Sequence, residues 1–220
     1  MAGINTVLFD FDGTLMDTNA IILASWQHTF MTVEGEKRPE EEIIKTFGEP
    51  LFLTMKNIFP ERDTEEVISI YRNFQHEKYA DMISLFPGVT ELLAGLKEQE
   101  YKIGLVTSRL TRSTMIGLDK FGIKKYFDAI VTADDTDKHK PDPEPALIAL
   151  AKLNSKPEES IMLGDTMFDI LCAKNAGIKS VLAGWSIAAP VEFKEGEDAP
   201  DYIISSANDL LKILSEAGNA

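Results

Sequence analysis

Thr6-Val7-Leu8-Phe9 runs straight into Asp10-Phe11-Asp12-Gly13-Thr14-Leu15, and no other stretch narrows the fold as far. An unbroken run of β-branched and large apolar residues suits a strand buried on both faces better than an amphipathic helix. The acids stand at its carboxyl end. Residues two apart in extended chain share a face, so Asp10 and Asp12 can converge on one ligand before Gly13 lets the backbone turn. Two carboxylates in such a mouth repel each other unless a cation sits with them. A hard divalent cation with oxygen ligands relieves that repulsion, and Mg²⁺ fits it best. The competing reading is an Asx-turn cluster capping a helix that starts near Thr18.

The 220 residues suffice for one large α/β domain, or for one domain carrying a smaller insertion. With 36 acidic against 22 basic residues the net charge is -14, which repels nucleic acid and anionic membranes over most of the surface. Any phosphate handled here must therefore be neutralised locally. The single cysteine, Cys172, excludes an internal disulfide and lies in an apolar helical pattern, as a buried structural thiol does. The chain opens without a basic, apolar leader and carries no run of about 18 apolar residues, so a soluble cytoplasmic protein is expected.

Beyond the first strand, Asp17 or Thr18 can cap a helix reaching about Thr32, with Ile21, Ile22, Trp26 and Phe30 along one stripe. Gly35 and Pro39 interrupt it. Further helices are expected over Glu40–Phe47, Leu51–Phe59 and Thr64–Asp81, with no strand pattern between Thr18 and Leu85. From Pro87-Gly88 strands and helices alternate, with strands at Lys102–Thr107, Phe127–Val131, Ser160–Leu163, Lys179–Leu182 and Tyr202–Ile204. The expected fold is α/β: a doubly wound, mostly parallel Rossmann-like sheet with an inserted small four-helix cap. The boundaries are 1–16 for the first strand and catalytic loop, 17–84 for the cap and 85–220 for the rest of the core. In such sheets ligands bind beyond the carboxyl ends of the strands.

Polar clusters fall at those ends: Asp10 and Asp12, then Thr107 and Ser108, then Asp165 and Asp169, with Lys140 in a loop. Jointly they supply a carboxylate nucleophile, an acid or base two residues on, a hydroxyl donor, one ammonium and a metal-binding acid. Phosphoryl transfer needs this complement, because positioning and charge neutralisation carry most of its barrier reduction. Each group has a plainer reading alone: Thr107 as a cap before the helix at Thr111, Asp165 as an N-cap, Lys140 as one lysine beside Lys138 and His139.

Asp10-Phe11-Asp12-Gly13-Thr14, Thr107-Ser108, Lys140-Pro141 and Gly164-Asp165-Thr166-Met167-Phe168-Asp169 resemble the four ordered motifs of the haloacid-dehalogenase superfamily. The likeness spans nearly the whole chain, with the helical insertion where that superfamily carries its small cap. Within it the chain is similar to the phosphoglycolate phosphatase and pyrophosphatase branch. Asp17-Thr18-Asn19, Ser25 with His28-Thr29, Tyr71 to Glu77, Lys140 to Pro145 and Ala183-Gly184-Trp185 resemble the superfamily's inorganic pyrophosphatases of Gram-positive bacteria, although Asp17 stands where they carry asparagine.

The resemblance implies that Asp10 attacks phosphorus and becomes an aspartyl phosphate, activated by metal and lysine. Asp12 then protonates the leaving oxygen and deprotonates the hydrolytic water. Its presence counts against dehalogenase chemistry, which dispenses with this acid and with the metal. Thr107 and the Ser108 amide would donate to phosphoryl oxygens, and Lys140 would neutralise phosphate and Asp10. Asp165, an Asp10 oxygen and the Asp12 backbone carbonyl would ligate Mg²⁺, with Asp169 orienting Asp165 or a metal-bound water.

The cap should select the substrate. Arg38, Lys45, Arg72, His28 and His76 are the candidates for gripping a second phosphate or another anion, and Gly48-Glu49-Pro50-Leu51 falls where cap residues of this branch face the site. It lacks the basic residue that hexose-phosphate mutases carry nearby. Cap closure, hinged around Leu15–Thr18 and Ser84–Pro87, would exclude water. The expected activity is Mg²⁺-dependent hydrolysis of inorganic pyrophosphate. The alternatives are a phosphatase for phosphoglycolate or another small phosphomonoester, and an inactive copy serving as a binding or sensing module. The partner is a small phosphorylated molecule rather than nucleic acid or membrane, and monomer and homodimer both stay open.

Overall fold

A computed structural model describes residues 3–190, 196 and 198–217; the remaining positions, at the two ends of the expected core and within it, lie outside the described residues. Strands β1 (Thr6–Phe9), β4 (Lys102–Val106), β5 (Ala129–Val131), β6 (Ser160–Gly164), β7 (Lys179–Ala183) and β8 (Tyr202–Ile204) form one parallel sheet in the order β5-β4-β1-β6-β7-β8. The chain leaves β1 for β4 and β5 on one side, then returns to β6 on the other. Strand order therefore reverses at β1, and a crevice opens there at the carboxyl ends.

Both faces of the sheet are buried, which is why its strands read as continuous apolar runs. Val7, Phe9, Ile103, Leu105, Ile161 and Leu163 enter one core cluster, whereas Leu8, Val106 and Met162 enter the other. The period of two along each strand divides the side chains between the layers. Helices α5 (Val89–Glu98), α6 (Thr111–Lys120), α7 (Glu144–Leu153), α8 (Met167–Asn175) and α9 (Asp209–Ala217) connect or follow these strands.

Between β1 and α5 lie α1 (Asn19–Val33), α2 (Glu40–Ile44), α3 (Leu51–Ile58) and α4 (Thr64–Lys78). They close on a separate core of Trp26, Phe30, Ile43, Met55, Phe59, Val67, Ile68 and Tyr71. Trp26 stacks on Phe30 at 5.6 Å and meets Tyr71 edge-on at 5.4 Å. The expected long helix ends at Lys78, and Tyr79–Asp81 tightens into a 3₁₀ turn. The expectation of no strand there also needs correction. Met16–Asp17 (β2) pairs antiparallel with Ser84–Leu85 (β3) at both crossings into the helical insertion. Two residues per strand are too few to produce a readable alternation.

Candidate active site

Parallel register brings the polar strand ends together. Phe9 pairs with Leu105 on one side and Leu163 on the other, so the chain emerges from β1, β4 and β6 at one level. Asp10 follows β1, with its amide donating to the Leu163 carbonyl at 2.8 Å. Thr107 follows β4, and Asp165 follows β6. Gly13 (φ +75°) makes the turn after Asp12, and a Cβ there would stand 2.0 Å from an Asp165 carboxylate oxygen. That close approach and the left-handed backbone both require glycine.

Asp10, Asp165 and Asp169 are buried, and each offers a carboxylate oxygen within 4.8 Å of the others. Lys140 reaches in from its loop, with Nζ 2.5 Å from Asp10 Oδ1 and a second bond to Asp169. Burial opposes its ammonium, but the two carboxylates outweigh that effect and hold it charged well above the ordinary lysine range. Burial also pushes the Asp10 carboxyl up to about 7, Lys140 opposing and Asp169 adding to the rise. One ammonium shared by two carboxylates thus stays charged without offsetting the desolvation of the first.

Asp165 completes the imbalance. Burial raises its carboxyl well above the usual range, and the charges on Asp10 and Asp169 raise it further. Its partners are hydroxyls: Ser186 Oγ at 2.6 Å and, more weakly, Thr14 Oγ1 at 3.5 Å. No lysine, arginine or histidine pairs with it among the described residues. Three clustered carboxylates against one ammonium, with Asp165 in no ion pair among the described residues, fit an oxygen-bound divalent ion.

One Asp169 oxygen takes the Lys140 ammonium and the other accepts from the Thr166 amide and hydroxyl at 3.0 and 2.7 Å, capping α8. Its hydrogen bonds therefore tie the lysine to the helix start. Asp165 itself is not the N-cap; Thr166 is. Thr107 caps no helix either, because α6 starts after Leu110. Thr107 Oγ1 instead accepts the Arg109 amide at 3.1 Å, which leaves the hydroxyl hydrogen free to donate.

The Asp12 carboxylate is gripped by Arg109, a residue that spacing did not single out. Nε lies 3.1 and 2.8 Å from Asp12 Oδ1 and Oδ2, and Nη2 lies 2.8 Å from Oδ1. A further Arg109 donor, Nη1, meets Gln75 Oε1 of α4 at 3.2 Å, and the guanidinium lies 4.6 Å over the Tyr79 ring. The available signal was an arginine two residues past a strand-end threonine; its target is 97 residues away in sequence.

A cavity of 370 Å³ joins these groups to the helical insertion. Core residues Asp10, Asp12, Thr107, Ser108, Lys140, Asp165 and Asp169 face Trp26, Gly48, Glu49, Pro50, Leu51, Tyr71, Arg72 and Gln75 across it. Gly48 (φ +82°) rests on the core so closely that a Cβ would stand 2.8 Å from the Thr166 side chain. Thr18 also lines the cavity, and its buried hydroxyl has no partner among the described residues. Of the two expected caps of α1, Thr18 holds the N-cap position without a side-chain hydrogen bond, and Asp17 accepts the Asn19 amide at 3.1 Å.

The other expected cap cations are not brought in. Arg38 pairs with Glu34 at 2.8 Å and covers the Phe30 ring, outside the cavity wall. His28 stacks on Phe74 at 4.5 Å, and exposed Lys45 and His76 line none of the cavity. Cys172 is buried, which pushes its thiol up to about 12, as an inert core thiol requires. No helix among the described residues is long and apolar enough to cross a membrane.

The chain is similar to known proteins along nearly its whole length. Residues 7–183 match the family described as haloacid dehalogenase-like hydrolase. Pyrophosphatase PpaX of Halalkalibacterium halodurans is 40% identical over 211 residues, covering 96% of this chain and 97% of that protein. Pyrophosphatase PpaX of Bacillus velezensis is 39% identical over 210 residues, covering 96% of each. Among solved structures, a predicted phosphatase from Clostridium acetobutylicum superposes with a TM-score of 0.86 at 26% identity, covering 98% of this chain and all of that one.

Proposed function

The chain belongs to the haloacid dehalogenase-like hydrolase family and is a phosphohydrolase; from that premise we propose inorganic pyrophosphate as its substrate and Mg²⁺ as its metal. The observation that carries the reading is the meeting of Asp10, Asp165, Asp169 and Lys140 in one buried cluster at the sheet's switch point. The substrate follows the names of relatives that align over nearly the full length.

Asp10 attacks phosphorus, forming the aspartyl phosphate as the bridging P–O bond breaks. Asp12 gives its proton to the departing oxygen and afterwards takes one from the water that cleaves the acyl phosphate. Lys140 holds Asp10 in place and neutralises the phosphoryl group, while the Thr107 hydroxyl and Ser108 amide donate to its oxygens. Asp10, Asp165 and the Asp12 carbonyl would hold Mg²⁺, with Asp169 fixing Lys140 beside them. When bound, the ion supplies the positive charge that an anionic phosphate needs to approach three carboxylates. Residues 17–84 act as a cap over a core of 1–16 and 85–220, and Arg72 is the cap cation in reach of substrate.

A specific observation favours a second reading. The cavity is roomy for two phosphate groups, and Ile22, Trp26, Phe47, Leu51 and Phe52 give it an apolar wall. That wall suits the carbon skeleton of a small phosphomonoester such as phosphoglycolate. Initial rates on pyrophosphate, 2-phosphoglycolate and sugar phosphates, with and without Mg²⁺, separate the two. Comparable rates on many monoesters with little on pyrophosphate would defeat the first.

A further inference from the structure

We propose that Arg109 is the positioning residue for Asp12, and that it links the proton-donating carboxylate to the helical insertion through Gln75. The inference rests on the reading of Asp12 as the acid that protonates the leaving oxygen.

Asp12 immediately precedes the sharp turn at Gly13, and its side chain is 25% exposed in the cavity wall. A carboxylate on a short side chain does not hold one direction unaided, and a proton donor misplaced by an ångström loses most of its effect. Arg109 supplies the constraint. Its planar fork engages both Asp12 oxygens, its side chain is only 7% exposed, and the Tyr79 ring covers one face. Its own backbone is fixed by the Thr107 hydroxyl at the amide and by the Ala133 amide at the carbonyl.

Oδ2 of Asp12 accepts one guanidinium hydrogen and keeps a lone-pair site for the transferred proton. That proton passes from Asp12 to the leaving oxygen as the Asp10–phosphorus bond forms and the bridging P–O bond breaks. The remaining contact reaches Gln75, which comes from α4 in the insertion and also donates to the Tyr71 hydroxyl at 3.2 Å. Arg109 therefore has its full set of partners only while α4 lies against the core.

Leaving-group dependence tests the role. kcat/KM ends at formation of the aspartyl phosphate, so it reports proton donation without the later hydrolysis step. An alkyl phosphate needs that proton, whereas p-nitrophenyl phosphate expels a stable phenolate without it. R109A should lose about 10²-fold in kcat/KM on the alkyl ester and under about fivefold on the nitrophenyl ester. R109K, with a point charge in place of the fork, should recover part of the alkyl-ester loss, and Q75L should show a smaller loss of the same selectivity. If R109A does not fold by circular dichroism, R109K and Q75L carry the comparison. Equal losses on both esters in these variants, beside a D12N control that keeps the selectivity, would overturn the role of Arg109 alone. Loss of the selectivity in D12N itself would overturn the reading of Asp12 and the inference with it.

Discussion

Replacing Lys140 by methionine removes a charge while keeping an unbranched side chain of similar length. The ammonium lies 2.5 Å from Asp10, also bonds Asp169, and is 5% exposed. Its loss leaves three clustered buried carboxylates with no ammonium in contact. Removing one partner of a buried ion pair costs about 3–5 kcal/mol, because the other is left uncompensated. For a protein of this size each kcal/mol moves the melting temperature by about 2–4 °C, so K140M should melt about 6–20 °C lower in EDTA. The cluster has become more negative by one charge, so Mg²⁺ should bind K140M more tightly and recover more of its stability than it adds to the wild type. Thermal unfolding followed by circular dichroism, at fixed pH with EDTA and then with Mg²⁺, reads both effects. A variant that melts with the wild type in EDTA would refute the reasoning, as would an equal Mg²⁺ shift in the two proteins.

D165N should chiefly weaken Mg²⁺ binding, by about tenfold or more in calorimetric titration, because Asp165 is the carboxylate of the cluster that no lysine or arginine contacts among the described residues. G48V places a branched side chain at φ +82° against Thr166, and should lower kcat/KM by about 10²-fold by lifting the loop, with the melting temperature of the core little changed. The Asp201 carboxyl, despite burial that would raise it, is lowered by the amide and hydroxyl of Ser180, each at 2.8 Å. A carboxyl depressed by folding adds stability above its unfolded value, near 3.9, and loses it as pH falls through the folded value. Chemical denaturation should therefore show D201N less stable at neutral pH, with the gap closing below about pH 4; a gap independent of pH would contradict it.

Much of the sheet and of the acid cluster was legible because burial and position coincide in this fold class. Apolar runs that end in acids are strands of a parallel sheet, and their carboxyl ends meet at the reversal of strand order. Asp10, Thr107 and Asp165 follow from that rule, and Lys140 from the resemblance. Arg109 was hidden because an arginine's reach depends on the tertiary path; its partner Asp12 follows the neighbouring strand β1, 97 residues away in sequence, and Gln75 lies in the helical insertion. The i,i+4 spacing of Glu34 and Arg38 did carry a signal that Arg38 pairs locally, and the structure finds that pair. The Thr166–Asp169 capping pattern likewise accounts for one of Asp169's oxygens. The two-residue ribbon of β2 and β3 lies below the length at which alternation can be read.

Hydrolysis by this route requires Asp10 to accept the phosphoryl group. Rapid acid quench during turnover of ³²P-labelled substrate, followed by peptide mapping, places the label directly. It should appear before steady state on the peptide holding residue 10, be released by hydroxylamine as an acyl phosphate is, and vanish in D10N together with turnover. Unlabelled protein during full turnover, or an active and folded D10N, would contradict it.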